Sequence, residues 1–117
     1  MKKALAIIVG PLLVALALLA GAQTPPDTPN AGLHRYVVER TFPAGALDGL
    51  DAALKAKVNA NNAKYGVHWV MSYANAAKTK TYCIYDGPSE TAIRKAATAN
   101  ALPVDSITEV PVTLLPQ

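Results

Sequence analysis

From residue 34 onward the hydrophobic positions follow two alternating periods. Residues 34–42 (HRYVVERTF) are β-branched and aromatic with charges between, which predicts a first strand ended by Pro43-Ala44-Gly45. Over residues 46–64 the period lengthens. Leu47, Leu50, Leu54, Val58, Asn61 and Tyr65 succeed one another in steps of three and four, one continuous helical stripe with Lys55, Lys57 and Lys64 off it. Asp48 and Asp51 suit the positive end of that helix, and Gly66 is a stop signal. Asn61 is polar in line with the apolar stripe, which fits either a stripe that frays at its end or an amide bonded to nearby backbone.

Period two returns in residues 67–73 (VHWVMSY) and 79–85 (TKTYCIY), close enough to form a hairpin. Asp86-Gly87-Pro88 turns the chain, and Ser89 is an N-cap with Glu90 in the first turn of a second helix running to about Asn100. The inner face of that helix is small: Ala92, Ile93, Ala96 and Ala97. Leu102-Pro103 breaks it, and residues 105–114 (DSITEVPVTL) read as a last strand. Pro111 has no N–H to give a ladder, which places that strand at a sheet edge.

The order strand-helix-strand-strand-helix-strand is the split β-α-β, or ferredoxin-like, arrangement. It is an α+β sandwich with one four-stranded antiparallel sheet and both helices on one face. Strict alternation puts Val67, Trp69, Met71 and Tyr73 on one face of the third element and His68, Val70 and Ser72 on the other. In the fourth, Thr81, Cys83 and Tyr85 oppose Tyr82 and Ile84. Both faces of the hairpin are apolar or aromatic, so the face without helices calls for a cover. A second copy of the chain is the simplest one, and a homodimer is expected.

Composition alters this picture mainly at the front. The chain has 117 residues, 51% hydrophobic and only 16% charged, but the excess is local. Residues 4–22 carry no charge, Lys2 and Lys3 precede them, and Ala20-Gly21-Ala22 is a small-x-small site. That is the layout of a secretory signal cleaved after Ala22, which predicts a periplasmic or secreted protein. Gly10-Pro11 interrupts the apolar run and weighs against an uncleaved anchor, which would be the only membrane contact. Residues 23–32 (QTPPDTPNAG) read as a disordered leader, and the domain spans 33–117. The net charge of +3 loses two lysines with the signal, so no basic stripe remains for nucleic acid. One cysteine excludes an internal disulfide framework.

The familiar catalytic and nucleotide-binding motifs are absent. His34 and His68 are the only histidines, with His34 at the start of the domain and His68 within a strand, a candidate metal ligand. Cys83 is either a soft metal ligand or a small buried hydrophobe. Glu39 and Glu109 lie in the first and last strands, where they can bind metal, move a proton, or pair with Arg35, Arg40 or Lys80 on a wet face. Trp69, Tyr73, Tyr82 and Tyr85 can line an apolar pocket with polar tips, or serve as core and dimer contacts.

Five segments carry a resemblance: Tyr36-Val37-Val38-Glu39-Arg40, Trp69-Val70-Met71-Ser72-Tyr73, Thr81-Tyr82-Cys83-Ile84-Tyr85, Pro88 to Arg94 (PSETAIR) and Leu102 to Val110 (LPVDSITEV). Together they resemble a bacterial family of small domains of unknown function that includes a nickel-binding protein. The resemblance covers roughly residues 33–112 and implies a ferredoxin-like homodimer. Position by position it carries over Glu39, Trp69, Ser72, Tyr73, Tyr82, Cys83, Tyr85 and Glu109. The family pattern places histidines where this chain has Met71 and Ala96, so two imidazoles are missing here.

The expected function is an exported, non-enzymatic binding module that holds nickel or a small ligand near a homodimer interface. Glu39, Trp69, Tyr73, Tyr82 and Glu109 are the expected ligand contacts, and His68 and Cys83 the expected metal donors. Two alternatives stand beside it. One is a cofactor-free enzyme of the dimeric α/β-barrel type, oxygenase- or isomerase-like, with Glu39 or Glu109 as proton shuttle. The other is an interaction domain with no ligand.

Overall fold

The computed structural model describes residues 28–117. The predicted export signal and the first half of the predicted leader, residues 23–27, lie outside the described residues. The chain forms β1 (His34–Thr41), α1 (Ala52–Ala63), β2 (His68–Ala74), β3 (Lys80–Gly87), α2 (Glu90–Ala99) and β4 (Ser106–Glu109). The sheet order is β2-β3-β1-β4, with every neighbouring pair antiparallel. This is the ferredoxin-like arrangement that the sequence pattern predicts.

The buried core lies between the sheet and the helices. Tyr36 and Val38 of β1, Cys83 and Tyr85 of β3, Val67, and Ile93 and Ala96 of α2 form one cluster. Alternation along β1 and β3 assigns the opposite face. Arg35, Val37 and Glu39 pair in register with Asp86, Ile84 and Tyr82, and no helix covers them. Gly87 permits the closest approach in this core. A Cβ there would stand 3.0 Å from Ile93 Cδ1 and 3.3 Å from Val67 Cγ2.

Three expectations are corrected. The first helix begins at Ala52, not at residue 46. Gly45 adopts φ +84°, and residues 43–50 run in successive tight turns closed by Ala46 N–H to Pro43 O, Asp48 N–H to Gly45 O and Leu50 N–H to Leu47 O. Asp51 then caps the helix by accepting from Leu54 N–H at 2.8 Å. Leu47 and Leu50 keep helical spacing while belonging to the connection.

The second correction concerns β2. Trp69 pairs with Tyr85, but Met71 pairs with Ile84, so Val70 is the extra residue of a β-bulge. The inserted residue breaks the alternation. Trp69 and Ser72 sit on the helix side, opposite Tyr85 and Cys83, whereas Met71 and Tyr73 sit on the open side with Ile84 and Tyr82.

Third, β4 is four residues long rather than ten. The last rung is Val110 N–H to Arg35 O at 2.8 Å, and Pro111 cannot continue the ladder. Its position at the sheet edge is as expected.

Candidate functional site

The two helices treat their side of the sheet differently. α2 lays Ile93, Ala96 and Ala97 onto it, all buried, with Ser89 capping its start through Ala92 N–H. α1 buries only Asn62, and Leu54 on its stripe is 43% exposed. It is tied instead at its C-terminal end. Asn61 donates to Asn100 Oδ1 and Asn100 donates to Asn62 Oδ1, each at 2.9 Å. Asn61 therefore bonds a side chain of the other helix rather than nearby backbone.

Between α1, the turns before it and the sheet lies a cavity of about 400 Å³. Leu47, Leu50 and Val58 form its helix-side wall, and Phe42 and Leu102 close it laterally. Trp69, Ser72, Cys83 and Tyr85 line it from the sheet. The size falls in the range of small-ligand pockets, and the wall is mostly apolar with few polar groups, as such pockets are. Its charged lining residues are Arg40, Lys55 and Lys78, all cations.

Arg40 is 2% exposed. Its phase in β1, two residues beyond Val38, carries it inward. Nη1 donates to Pro103 O at 2.6 Å, Nη2 reaches the Tyr85 hydroxyl at a long 3.4 Å, and Nε has no hydrogen-bond partner. The guanidinium lies over the Tyr85 ring, 5.6 Å from its centroid. Among the described residues no ion pair joins Arg40 to a carboxylate. Burial pushes the Tyr85 phenol above its ordinary range while Arg40 pulls it back, so the hydroxyl is protonated at neutral pH. Of the three cations weighed as carboxylate partners on a wet face, Arg35 and Lys80 do form ion pairs, whereas Arg40 is turned inward. Its inward phase was the signal that could have marked it.

The expected site residues divide between the two faces. Trp69, Cys83 and Tyr73 border the cavity. Trp69 Nε1 donates to Ser72 Oγ at 2.8 Å, which orients the indole, and the Cys83 thiol faces Thr81 Oγ1 at 3.5 Å. Tyr73, 60% exposed, also pairs in register with Tyr82 on the open side. Glu39 is on the open side, accepting from Ser106 Oγ at 3.2 Å with Lys80 Nζ at 3.6 Å. Lys80 also holds Asp105 at 3.0 Å. The Thr41 hydroxyl and that ammonium together keep the Asp105 carboxyl below its usual range.

The metal candidates do not converge. His68 is exposed and in register with Asp86 on the open side, whereas Cys83 is buried on the helix side. Asp86 is itself occupied by Arg35, whose Nε and Nη2 donate to its two oxygens at 2.7 and 2.9 Å. His34 Nδ1 lies 3.0 Å from Glu109 Oε2, and both are exposed. That is one nitrogen and one oxygen donor side by side. Among the described residues no group of three or more His, Cys, Asp or Glu gathers in one place. The described residues of a single chain therefore do not form a closed metal site.

Comparison with known proteins agrees with the fold. The family described as "Nickel responsive protein SCO4226-like" matches residues 36–110. The crystal structure of SCO4226 from Streptomyces coelicolor A3(2) superposes with a TM-score of 0.59 at 22% identity, covering 68% of this chain and 99% of that one. At that identity the likeness speaks for the fold. No curated protein matches the chain. The match over residues 36–110 establishes that the chain belongs to the SCO4226-like family.

Proposed function

With that family as the premise, we propose that the chain is an exported, non-catalytic binding module that works as a homodimer and responds to nickel. The observation that carries the reading is the exposed His34–Glu109 pair, in a chain whose family is described as nickel responsive. Imidazole and carboxylate both suit a divalent first-row ion. Two donors are too few for nickel, and the pair stands in the helix-side phase of β1, in line with Tyr36, so water fills the remaining positions. Met71 and Ala96 add no donor, and neither does buried Cys83.

The dimer rests on the open side of the sheet. Val37, Ile84 and Met71 lie at its centre, half-buried, with Tyr73 and Tyr82 exposed beside them. Ion pairs frame them, Arg35–Asp86 at one end and Lys80 with Glu39 and Asp105 at the other. An apolar centre with a charged rim is the anatomy of a protein interface. Export rests on residues 1–22. The reading of a cofactor-free enzyme needs a carboxylate inside an apolar pocket, and neither Glu39 nor Glu109 lines the cavity.

Native mass spectrometry of residues 23–117, with and without nickel, tests this reading. The expected result is a dimer that gains nickel in integer steps, loses it in His34→Ala, and keeps it in His68→Ala. A monomer at all concentrations, or a dimer that stays metal-free, overturns it. Material recovered from outside the cytoplasm is expected to begin at Gln23.

A further inference from the structure

We propose that the cavity between the sheet and α1 binds a small apolar carboxylate, with Arg40 as its anion partner. The proposal is independent of nickel and of the dimer, because the cavity is built within one chain.

The chain contains its own comparison. Arg35 and Arg40 are both inside or nearly inside the protein, five residues apart on β1. Arg35 presents its Nε–Nη2 edge to the two oxygens of Asp86, at 2.7 and 2.9 Å, the side-on geometry in which a guanidinium holds a carboxylate. The same edge of Arg40 meets no carboxylate. Its Nε is unpartnered and its Nη2 has only the long contact to the Tyr85 hydroxyl. Arg40 is the more deeply buried of the two arginines, and the partly exposed Asp105 acts on it only through space, without a hydrogen bond, so its buried guanidinium is left open to an anion.

The rest of the lining selects which anion. Among the described residues no acidic side chain lines the space, and Lys55 and Lys78 add positive charge around it. A compact, multiply charged ion would leave Leu47, Leu50, Val58 and Trp69 facing nothing. A single carboxylate on a hydrocarbon or aromatic body uses both parts. Its oxygens take the guanidinium once the Arg40 side chain turns its Nε–Nη2 edge into the space, and its carbon body fills the apolar remainder. A cavity of about 400 Å³ restricts that body to a small molecule. A water has no access to Nε in the observed arrangement, and one admitted by a turn of the side chain would bring no charge and leave the apolar space unused.

Trp69 provides the readout, since it is the only tryptophan and it lines the cavity. The probes are phenylacetate and octanoate, each against its neutral amide, titrated into the purified full chain. Both acids, or the one that fits, should change Trp69 emission saturably, and the matching amide should bind about tenfold or more weakly. Arg40→Met should lose that preference, with acid and amide alike, and Arg40→Lys should keep part of it. Equal binding of acid and amide to the unaltered protein overturns the proposal, as does no saturable change for any probe by about 1 mM. So does a folded Arg40→Met that still prefers the acid. The acid–amide comparison needs no variant, so it decides the matter even where Arg40→Met does not fold. Nickel uptake and dimer mass should be unchanged in that variant, which separates this site from the one proposed above.

Discussion

α1 and α2 lie over the same side of one sheet, yet they do different jobs. α2 is a seal: its inner face is Ile93, Ala96 and Ala97, all buried, and small residues let a helix lie close. α1 is a roof: it buries only Asn62, holds Leu54 partly in water, and is fastened at one end by amides rather than by hydrophobic packing. The difference is written in where each helix starts. Ser89 caps α2 directly after β3 and its turn, so the helix drops onto the strands. α1 starts only at Ala52, capped by Asp51 after a run of turns, and those turns supply Leu47 and Leu50 to the cavity wall. One half of the sandwich is a packed core and the other half is a container.

The sharpest way to break this comparison is to cut the same kind of side chain from each helix. Ile93 is 1% exposed in the tightest part of the core, so Ile93→Ala should cost about 2–5 kcal/mol of stability in urea denaturation. Gly87→Ala attacks the same contact from the strand side. The new methyl meets Ile93 and Val67 inside normal packing distance and should cost about 1–3 kcal/mol. If both variants unfold at the urea concentration of the parent chain, α2 is not the seal.

Next comes the fastening of α1. Asn100 accepts from Asn61 and donates to Asn62, and Asn100→Ala removes both bonds at once. Asn62 is buried, so the loss should be about 1–3 kcal/mol. Hydrogen exchange should show α1 opening more readily in this variant while α2 keeps its protection. Equal loss of protection in both helices would mean that they do not act as separate units.

The end of α2 offers a gain rather than a loss. Its last turn closes with Ala101 N–H to Thr98 O and Leu102 N–H to Ala97 O, a Schellman motif. Ala101 occupies the left-handed position at φ +56°, where glycine has no penalty. Ala101→Gly should raise stability by about 1 kcal/mol, read from the same denaturation curves. A pH effect of defined direction accompanies this. Burial raises the phenol of Tyr85 above 10.0 in the folded chain. Its contribution to stability is therefore complete below the unfolded value and is lost as pH rises through the folded one. Denaturation midpoints should fall in the alkaline range, and Tyr85→Phe should flatten that fall.

The sealed half was largely legible in the sequence and the container half was not. The inner face of α2, its Ser89 cap and the paired strands follow from period and capping alone. α1 misled because Leu47 and Leu50 keep helical phase across Gly49 while forming turns, and spacing does not distinguish the two. The bulge at Val70 left no trace because VHWVMSY is apolar on both faces, so one inserted residue changes sides without changing the pattern. That slip is why Trp69 parts from Met71 and Tyr73, and why His68 and Ser72 end on opposite faces. Arg40 was legible in principle, in phase with Tyr36 and Val38. Its lack of a carboxylate partner needed three dimensions.

The smallest expected effect is the most direct check on the roof. Leu54 falls on the same stripe as Val58 and is chemically the residue that a packed helix would bury, but it is 43% exposed. Leu54→Ala removes three carbons, which in a core would cost about 2–5 kcal/mol. Here it should stay within about 0.5 kcal/mol, since a surface site loses little buried area and alanine favours the helix. A larger loss in the monomer would show that α1 settles onto the sheet in solution and closes the cavity. A loss that grows with protein concentration would instead place Leu54 under a second copy, moving the homodimer contact from the open sheet face to the helices.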